Sequence, residues 1–365
     1  MRVVVDCRYT RFDRHDGISR YTAGLVTALA ELHPVTMLIS DQRQLALLPA
    51  LPWQRVTGPT SWREPLLALQ VNRLNPDVVF SPMQTMGSWG RRYRLVLTVH
   101  DLIYYRNRTP PHDLPPMVRL LWRLYHLSWG PQRLLLNRAD AVVTVSETTR
   151  DLLRAHRLTL RPVTVVHNAA DPVTDTTTTT ATTTTEEVPA APARRLVYMG
   201  SFMPYKNVDT LVRMAALLPG FELHLMSRVS VVDKARLAAL APGAALVFHD
   251  GASDEHYREV LSSATALVSA SLDEGFGIPL VEAMSLGVPV IVSDIPIFRE
   301  IGGDAALYVD PRSPRGFAEA VQRLAAPGEW PRRAQLARRE AQRFTWAQSA
   351  RTLLAVLRDE RNPEG

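Results

Sequence analysis

The chain has 365 residues, of which 46% are hydrophobic and 21% are charged, and its formal net charge is +6. Two domains are expected at this length, and the composition excludes disordered and membrane-embedded proteins. A single cysteine, Cys7, excludes an internal disulfide and indicates a cytoplasmic compartment, and the lack of a signal-like or long apolar stretch predicts a chain that is soluble or peripheral on the inner membrane face.

Positive charge is concentrated in residues 1–170, which hold 22 Arg and no Lys against 12 acidic residues. Residues 171–365 hold 20 basic and 24 acidic residues. This asymmetry indicates that the first half faces something anionic. The alternative is a codon bias that places Arg where Lys could stand, since Lys206 and Lys234 are the two lysines of the chain.

The first half alternates short β-branched runs with helical stretches, a pattern typical of a parallel sheet covered on both faces. The predicted strands are RVVVD (2–6), PVTMLIS (34–40), WQRVT (53–57), DVVFSP (77–82), RLVLTVHD (94–101), AVVTVS (141–146) and VTVVHN (163–168). Helices are predicted over 18–32 and 147–156. Residues 1–170 are therefore expected to form one doubly wound domain.

A tract rich in Thr, Ala and Pro, residues 171–193, predicts an interdomain linker or a surface loop. A second domain is predicted over 194–342, with strands RRLVYMGS (194–201), FELHLMS (221–227), ALVFHD (245–250), TALVSAS (265–271), PVIVSD (289–294) and AALYVD (305–310) and helices over 208–218, 231–240 and 254–264. The chain ends in helices, including 344–359. The predicted fold class is α/β, with two Rossmann-like domains of doubly wound parallel sheet facing a cleft.

Ligands of open parallel sheets bind beyond the carboxyl ends of the strands, so the segments that follow strands hold the candidate site. One such segment is EGFGIPLVE (274–282). Pro279 and Gly287 suit the start and the end of a helix of about eight residues, whose first N–H groups favour an anion such as phosphate. Glu274 in the loop and Glu282 in the helix can each accept two hydrogen bonds from a sugar diol.

Two glycines of this segment, Gly275 and Gly277, allow the backbone to approach a ligand closely. The segment GSFMPYKN (200–207) follows the first strand of the second domain. It presents Lys206 before a helix that Asn207 is expected to cap. An ammonium group and a helix N-terminus together attract phosphate.

In the first domain, HDGISRY (15–21) joins the first strand to the first helix. Gly17 can bring backbone close to a ligand there, and Arg20 follows. His100 and Asp101 end a strand at the same edge. A turn glycine and a lone histidine are also common structural features, and the sequence lacks the G-x-G-x-x-G pattern of dinucleotide sites.

Other chemistries find little support in the sequence. It contains no CxxC, HExxH, GxSxG or P-loop motif. No metal site and no nucleic-acid partner are expected.

Taken together, these segments resemble the retaining glycosyltransferases of family 4, which have the GT-B fold. EGFGIPLVE is similar to the E-x7-E signature of that family. Further segments agree in order, namely ISRY, TVHD, VTVSE, VVHNAAD, YMGSFMPYKN, EGFGIPLVEAMSLGVPVIVSD and FTWAQSA. The resemblance covers nearly the whole chain outside the Thr-rich tract, and it implies that the C-terminal segment 343–365 crosses back to the first domain.

The resemblance also implies roles for individual residues. Glu274 would contact hydroxyls of the donor sugar, Glu282 the ribose diol, and Lys206 the diphosphate, with His100 against the donor sugar. Glu274, His100 and Lys206 are thus the expected catalytic residues. The expected donor-binding residues are Gly17, Arg20, Gly200, Ser201, Lys206, Arg228, Glu274, Gly275, Phe276, Gly277, Ile278, Leu280 and Glu282.

The chain departs from the family pattern at one position. Many relatives carry an arginine directly after the glycine of the phosphate segment, whereas Ser201 stands here and Tyr205 precedes the lysine. The leaving diphosphate then lacks one cation. Arg20 or Arg228 is expected to supply it.

The expected function is metal-independent, retaining transfer of a hexose from a sugar nucleotide to a glycan or a polyprenyl- or other lipid-linked acceptor. Resemblance to bacterial polysaccharide mannosyltransferases favours GDP-mannose as donor, and a UDP-sugar of glucose or N-acetylglucosamine is the alternative. A sugar-nucleotide epimerase of the same fold would need no acceptor. A non-catalytic binding module would not turn over a sugar nucleotide.

Residues 113–138 interleave Leu, Trp and Tyr with Arg119, Arg123, Arg133 and Arg138. That composition suits an anionic bilayer surface or a lipid-linked acceptor. The alternative is a long helix that packs on the first domain's sheet.

Overall fold

A computed structural model describes residues 1–110, 116–171 and 193–359. The chain forms two compact units: unit 1 combines Met1–Ala169 with the C-terminal segment from Phe344, and unit 2 comprises Ala170–Arg343. The predicted linker or loop 171–193 lies outside the described residues except for its two end residues, as do the last six residues of the chain and the start of the stretch 113–138.

Unit 1 contains a parallel sheet of seven strands in the order β3-β2-β1-β4-β5-β6-β7. The strands are β1 (Val3–Asp6), β2 (Val35–Ile39), β3 (Trp53–Arg55), β4 (Val78–Ser81), β5 (Arg94–Val99), β6 (Ala141–Thr144) and β7 (Val163–Val165). Each coincides with a predicted strand. The central strands are buried, as expected for β-branched runs covered by helices on both faces.

The helices of unit 1 are α1 (Gly17–Leu32), α2 (Leu67–Val71), α3 (Ile103–Arg106), α4 (Pro116–Tyr125), α5 (Gly130–Leu136), α6 (Glu147–Ala155) and α14 (Trp346–Arg358). Short 3₁₀ helices cover Gln42–Leu47, Glu64–Leu66 and Asn72–Leu74. The C-terminal helix α14 packs on α1, and Gly24 of α1 lies so close to the Trp346 ring of α14 that a Cβ there would clash with it. Ser349 Oγ also donates a hydrogen bond to the His167 carbonyl at 2.7 Å. Helix α14 therefore belongs to the first domain's core.

Unit 2 contains a parallel sheet of six strands in the order β10-β9-β8-β11-β12-β13. The strands are β8 (Ala193–Tyr198), β9 (Glu222–Leu225), β10 (Ala245–Phe248), β11 (Ala264–Ser269), β12 (Val290–Ser293) and β13 (Leu307–Val309). The helices are α7 (Val208–Ala215), α8 (Val231–Leu240), α9 (Asp254–Ser262), α10 (Ile278–Ser285), α11 (Pro296–Gly302), α12 (Pro314–Leu324) and α13 (Glu329–Ala341), with a 3₁₀ helix at Pro204–Lys206. All six strands coincide with predictions.

In each sheet the strand order reverses beside the first strand of the unit, between β1 and β4 and between β8 and β11. Ligands of doubly wound folds bind beyond the carboxyl ends of the strands at such switch points. The segments singled out in the sequence follow β1, β5, β8, β9 and β11, so they lie at these edges. The predicted doubly wound α/β fold is confirmed. Of the helices in the described ranges, none is long and apolar enough to cross a membrane.

Candidate active site

The loop after β8 is fixed by a buried tyrosine. Tyr198 donates its phenol hydrogen to the Ser201 carbonyl at 2.6 Å. Gly200 makes room for this bond, since a Cβ there would lie 2.8 Å from the phenol oxygen. Burial and the charge of Glu274 raise the pKa of Tyr198 well above its usual value, so the phenol keeps its proton. The first turn of the predicted phosphate segment is thereby held in place.

Asn207, which follows Lys206, stands at the N-cap position of α7, but its side chain accepts no hydrogen bond from a backbone N–H of that helix, so the predicted cap is not formed. Its backbone is left-handed, with φ of 51°, and its Oδ1 accepts a hydrogen bond from the Thr210 hydroxyl at 3.0 Å. The amide instead donates to the carbonyls of Ala270, at 3.1 Å, and Pro311, at 2.6 Å. Asn tolerates the left-handed region better than most residues. The side chain therefore ties the lysine loop to the segments that follow β11 and β13.

Two residues predicted from separate segments, Lys206 and Glu274, are in contact. Lys206 Nζ lies 2.5 Å from Glu274 Oε1, and their side chains are 16% and 13% exposed. Ser271 Oγ donates to the same carboxylate oxygen at 2.9 Å. The backbone N–H of Leu272 donates to the Tyr205 carbonyl at 2.7 Å, which joins the two loops. A cation and an anion thus meet at the carboxyl edge of the unit 2 sheet and both remain accessible to solvent.

Helix α10 begins where the sequence predicts it. Gly277 precedes it with φ of 97°, in the left-handed region that favours glycine, and a Cβ there would lie 3.1 Å from the Phe298 ring. Pro279 lies in the first turn, and Gly287, with φ of 74°, follows the last. The eight-residue helix is confirmed. Its first N–H groups point toward the same edge as Lys206, as helix geometry requires.

The predicted residues around the start of α10 differ in exposure. Gly275, Phe276 and Leu280 are buried, whereas Ile278 and Glu282 are half-buried. The side chains of Phe276 and Leu280 thus belong to the core, and only their backbone groups can take the predicted role. Glu282 lies about one turn inside the helix and retains solvent contact.

Arg228 supplies a second cation at the carboxyl edge of the unit 2 sheet. It follows β9, and its side chain is exposed. It lies along Gly251, where a Cβ would be 2.6 Å from Arg228 Cγ and where φ of 95° also favours glycine. The turn after β10 therefore leaves space for this guanidinium.

The predicted residues of unit 1 lie at the carboxyl edge of their own sheet. Gly17 is the first residue of α1, and Arg20 follows in the first turn, half-buried. Asp16 caps the helix by accepting a hydrogen bond from the Ser19 N–H at 2.8 Å. Gly17 is therefore the first residue of a capped helix. The N–H of Gly17 lies at an exposed helix end.

His100 follows β5 and is oriented by two contacts. Its Nε2 lies 2.7 Å from the Pro82 carbonyl, and its ring meets Tyr21 edge-on at a centroid distance of 4.9 Å. A carbonyl accepts, so Nε2 carries the hydrogen. Burial lowers the pKa of His100, which favours the neutral ring. The neutral tautomer leaves Nδ1 as an acceptor for a hydroxyl.

The sequence does not predict a site role for two residues of the unit 2 cluster. It places Ser271 in a strand and Asn207 at a helix cap. A serine three positions before the first glutamate of the signature was the available signal, but its hydroxyl has many alternative partners in sequence. Within the described ranges, no group of three or more His, Cys, Asp or Glu side chains is arranged to hold a metal ion.

The stretch 113–138 contains two helices, α4 and α5, so the alternative of one long core helix is wrong. Four apolar residues repeat at helical spacing on α4: Met117, Leu120, Leu121 and Leu124 are 69%, 52%, 58% and 53% exposed. Residues 116–138 include four arginines and no acidic residue. An exposed apolar face with cationic flanks is therefore present on unit 1.

Two family models match the chain in succession. Residues 15–173 match the family described as Glycosyltransferase Family 4, and residues 193–326 match the family described as Glycosyl transferases group 1. The first match covers most of unit 1 but leaves out β1 and the C-terminal helix, and the second covers most of unit 2.

Relatives and solved structures agree with these matches. The chain is 26% identical over 318 residues to the O-antigen chain mannosyltransferase RfbU of Salmonella typhimurium, across 84% of this chain and 87% of RfbU. It is 31% identical over 166 residues to a GDP-mannose-dependent alpha-(1-6)-phosphatidylinositol dimannoside mannosyltransferase of Mycobacterium tuberculosis, across 44% and 43%. Sucrose-phosphate synthase from Thermosynechococcus elongatus has a TM-score of 0.70 at 19% identity, across 98% and 99%. That likeness is one of fold and confirms the predicted GT-B class.

Proposed function

We propose that this chain, which belongs to the glycosyltransferases of family 4, moves mannose from GDP-mannose to a glycan or a lipid-linked acceptor. The names of two relatives support the sugar and the donor, since one is an O-antigen chain mannosyltransferase and the other is GDP-mannose-dependent. A place in bacterial polysaccharide synthesis follows from the same likeness.

The observation that carries the proposal is the contact of Lys206 with Glu274. A largely desolvated ammonium and carboxylate, 2.5 Å apart beside the start of α10, offer one partner for a diphosphate and one for sugar hydroxyls. When a sugar nucleotide binds, Lys206 exchanges its carboxylate partner for phosphate oxygens. Glu274 then accepts hydrogen bonds from the sugar.

The remaining donor contacts are assigned by chemistry. The first N–H groups of α10 bind phosphate as a helix N-terminus does. Arg228, exposed at the same sheet edge as Lys206, supplies the cation that relatives place after Gly200. Glu282 accepts from the ribose diol. Ser201 contributes its backbone N–H, since its carbonyl already accepts a hydrogen bond from Tyr198.

The unit 1 residues are proposed to act on the donor as well. His100, with its hydrogen on Nε2, would accept a hydrogen bond from a sugar hydroxyl at Nδ1. Gly17 would present its N–H to the diphosphate, and Arg20 would add positive charge. Because the Nε2 contact fixes the ring, His100 is the unit 1 residue whose removal is expected to slow turnover most.

We expect the reaction to retain anomeric configuration, as in the family that the chain resembles. The bond between the sugar C1 and the diphosphate oxygen breaks, and the acceptor oxygen bonds to C1 on the same face. The acceptor proton passes to the leaving diphosphate. The protein's part is to stabilise the departing charge with Lys206, Arg228 and backbone N–H groups, so no protein nucleophile and no metal are required.

A thermal-shift screen with GDP, UDP, ADP and their sugars tests the donor first. GDP and GDP-mannose are expected to stabilise the protein most, because a ligand that binds only the folded chain raises its melting temperature. A larger shift with UDP-sugars would instead identify a UDP-dependent enzyme.

Transfer of radiolabelled mannose, with and without acceptor and with EDTA, tests the reaction. Turnover that needs an acceptor and survives EDTA is expected, and NMR of the product should show the donor's anomeric configuration. Loss of activity that Mg²⁺ restores would overturn metal independence. Conversion without acceptor would indicate an epimerase, and binding without turnover a binding module.

The same transfer assay can be applied to the variant Glu274→Ala. Its matched control is Glu319→Ala, which removes a glutamate from an exposed pair with Arg315.

The exposed face of α4 supports a second part of the proposal, docking of unit 1 on an anionic membrane that carries the acceptor. Met117, Leu120, Leu121 and Leu124 would insert at the level of the head groups, and neighbouring arginines would meet anionic lipid. A peripheral position on the inner face of the cell membrane follows.

Sedimentation with phosphatidylglycerol vesicles at low salt tests this docking. Wild-type protein should sediment and be released as salt rises, because screening shortens the electrostatic range to about 10 Å at 0.1 M. Leu120→Ser with Leu124→Ser should abolish sedimentation and leave GDP binding intact. Arg315→Ser with Arg323→Ser on α12 is the control pair. If wild type stays in the supernatant at low salt, docking is wrong and a soluble acceptor follows.

A further inference from the structure

Ser271 joins the candidate site to the unit 2 sheet. Its side chain is fully buried, and its Oγ lies 2.9 Å from Glu274 Oε1. Its Oγ also lies 3.2 Å from the Oγ of Ser269, the last residue of β11. An ionised carboxylate only accepts, so Ser271 donates to Glu274 and Ser269 donates to Ser271. The hydrogen bonds therefore run in one direction, from the strand end to the carboxylate.

The two donors to Glu274 converge on a single oxygen. Both Lys206 Nζ, at 2.5 Å, and Ser271 Oγ, at 2.9 Å, contact Oε1. Oε2 is the oxygen opposite these contacts on the same carboxylate. An anchored Oε1 fixes the plane of the group and hence the direction in which Oε2 accepts.

These two anchors differ in permanence. Lys206 has a flexible four-carbon stem and, under the proposed function, turns to the diphosphate when the donor binds. Ser271 has one side-chain torsion and no exposed surface, so it stays in place. We propose that Ser271 is a positioning residue that holds Glu274 in its productive orientation after Lys206 has left it. This inference rests on the proposed function of Glu274.

A purely structural role for the hydroxyl is a weaker explanation, because the loop is held by other bonds. The Leu272 N–H donates to the Tyr205 carbonyl, and the Asn207 amide donates to the Ala270 carbonyl on the other side of Ser271. Both are independent of the serine side chain. Its removal should therefore leave the loop folded and release the carboxylate.

The test compares Ser271→Ala with the control Ser293→Ala. Ser293 is also fully buried at a strand end, but its hydroxyl donates to the Ser269 carbonyl, at 3.4 Å, rather than to Glu274. Ser271→Ala is expected to lower kcat about 10- to 100-fold, the usual worth of a hydrogen bond to a charged group, with little change in the KM for the donor or in GDP affinity. Ser293→Ala should keep wild-type kcat.

Two further variants separate positioning from folding. Ser271→Thr keeps the hydroxyl and should restore most of kcat, with Ser271→Cys, a weaker donor of similar size, as the substitute if the threonine lowers the melting temperature. In a Glu274→Gln background, Ser271→Ala should lower kcat little further. The effects of two substitutions on kcat are not additive when one residue acts through the other. Full additivity of the two losses, or a wild-type kcat in Ser271→Ala, would overturn the inference.

A readout without turnover keeps the inference separate from the proposed function. Crystal structures of wild type and Ser271→Ala should show one Glu274 orientation in the first and a displaced or multiple orientation in the second. If wild type turned over no sugar nucleotide, the proposed function would fail while this comparison still decided the role of Ser271. An unchanged Glu274 in the variant would refute it.

Discussion

In each unit, a cation that follows the first strand is paired with carboxylate. The two pairs differ in whether hydrogen-bonding groups remain available for a ligand. In unit 1 the cation is Arg8, two residues after the end of β1, and its side chain is fully buried. Nε and Nη2 donate to Asp6 at 2.7 and 3.0 Å, Nη1 and Nη2 to Glu64 at 2.6 and 3.0 Å, and Nη1 also to the Thr57 carbonyl at 2.9 Å. All five N–H groups of the guanidinium are satisfied.

In unit 2 the cation is Lys206, and its pair with Glu274 keeps contact with solvent. The comparison teaches that a charged pair at the carboxyl edge is structural when all its hydrogen-bonding groups are satisfied and it is buried from solvent. A pair is suited to bind a ligand when some of its donors and acceptors still have solvent access. Burial lowers the pKa of Arg8, but the charges and hydrogen bonds of Asp6 and Glu64 outweigh it and raise that pKa, which agrees with a permanently charged strut.

The largest expected effect concerns Arg8. Arg8→Ala should reduce the free energy of unfolding by about 3–5 kcal/mol, because it leaves Asp6 and Glu64 as uncompensated charges at a buried site. Denaturant unfolding measures it. Arg315→Ala, which breaks an exposed pair on α12, should leave the unfolding midpoint unchanged. A stable Arg8→Ala protein would remove the distinction between the two edges.

The second effect concerns Lys206. Lys206→Ala should lower kcat by about 10²- to 10³-fold, the usual cost of losing a preorganised donor to a developing charge. Its melting temperature should stay close to wild type, since Ser271 still contacts Glu274. Steady-state transfer kinetics and thermal melting together measure this. If the variant instead melted early and kept its turnover, Lys206 would be structural, like Arg8.

The third effect separates the two glutamates of the signature. Glu282→Ala should weaken GDP binding about 10- to 100-fold, because the ribose is held in the ground state and the transition state alike. Glu274→Ala should leave GDP affinity nearly unchanged and lower kcat. Calorimetric titration of GDP measures the first and transfer kinetics the second. Equal GDP affinity of Glu282→Ala and wild type would refute the ribose assignment.

The smallest effect concerns histidines of unit 2 that are not among the predicted donor-binding residues. His224, His249 and His256 form a hydrogen-bonded chain with Nδ1-to-Nε2 distances of 2.9 and 3.0 Å. At one end of this chain Glu222 contacts His224 at 3.2 Å, and at the other end Glu259 contacts His256 at 3.4 Å. The chain links β9, the end of β10 and the first turn of α9.

Burial lowers the pKa of His224 and of His249, and the positive charge of Arg195 acts in the same direction. The unfolded chain therefore takes up protons at these positions before the folded chain does. The free energy of unfolding should fall as pH drops below about 6.5, the ordinary histidine value. The double variant His224→Gln with His249→Gln should show a shallower decline between pH 7 and 5 in denaturant unfolding. An unchanged slope would show that these rings titrate alike in both states.

Much of the fold was predictable from local sequence. The thirteen strands of the described residues all coincide with predicted runs, and the central ones are buried on both faces, where a strand needs an unbroken apolar run. Helix α10 was predictable from Pro279 and Gly287, whose backbone preferences are local. The stretch 113–138 was harder, since its apolar residues fit either a core helix or an exposed face, and only their exposure in the folded chain distinguishes the two.

The sequence by itself determined which residue types stand at the ends of strands, including Lys206 and Glu274, because the carboxyl end of a strand can be located by counting along the chain. Only the tertiary structure decided which of these side chains meet. Arg8 and Glu64 are 56 positions apart and Lys206 and Glu274 are 68 apart, and their contacts depend on strand order and loop conformation. Saturation of a hydrogen-bonding group is a property of the assembled edge, so the structure was needed to distinguish a charged strut from a candidate site.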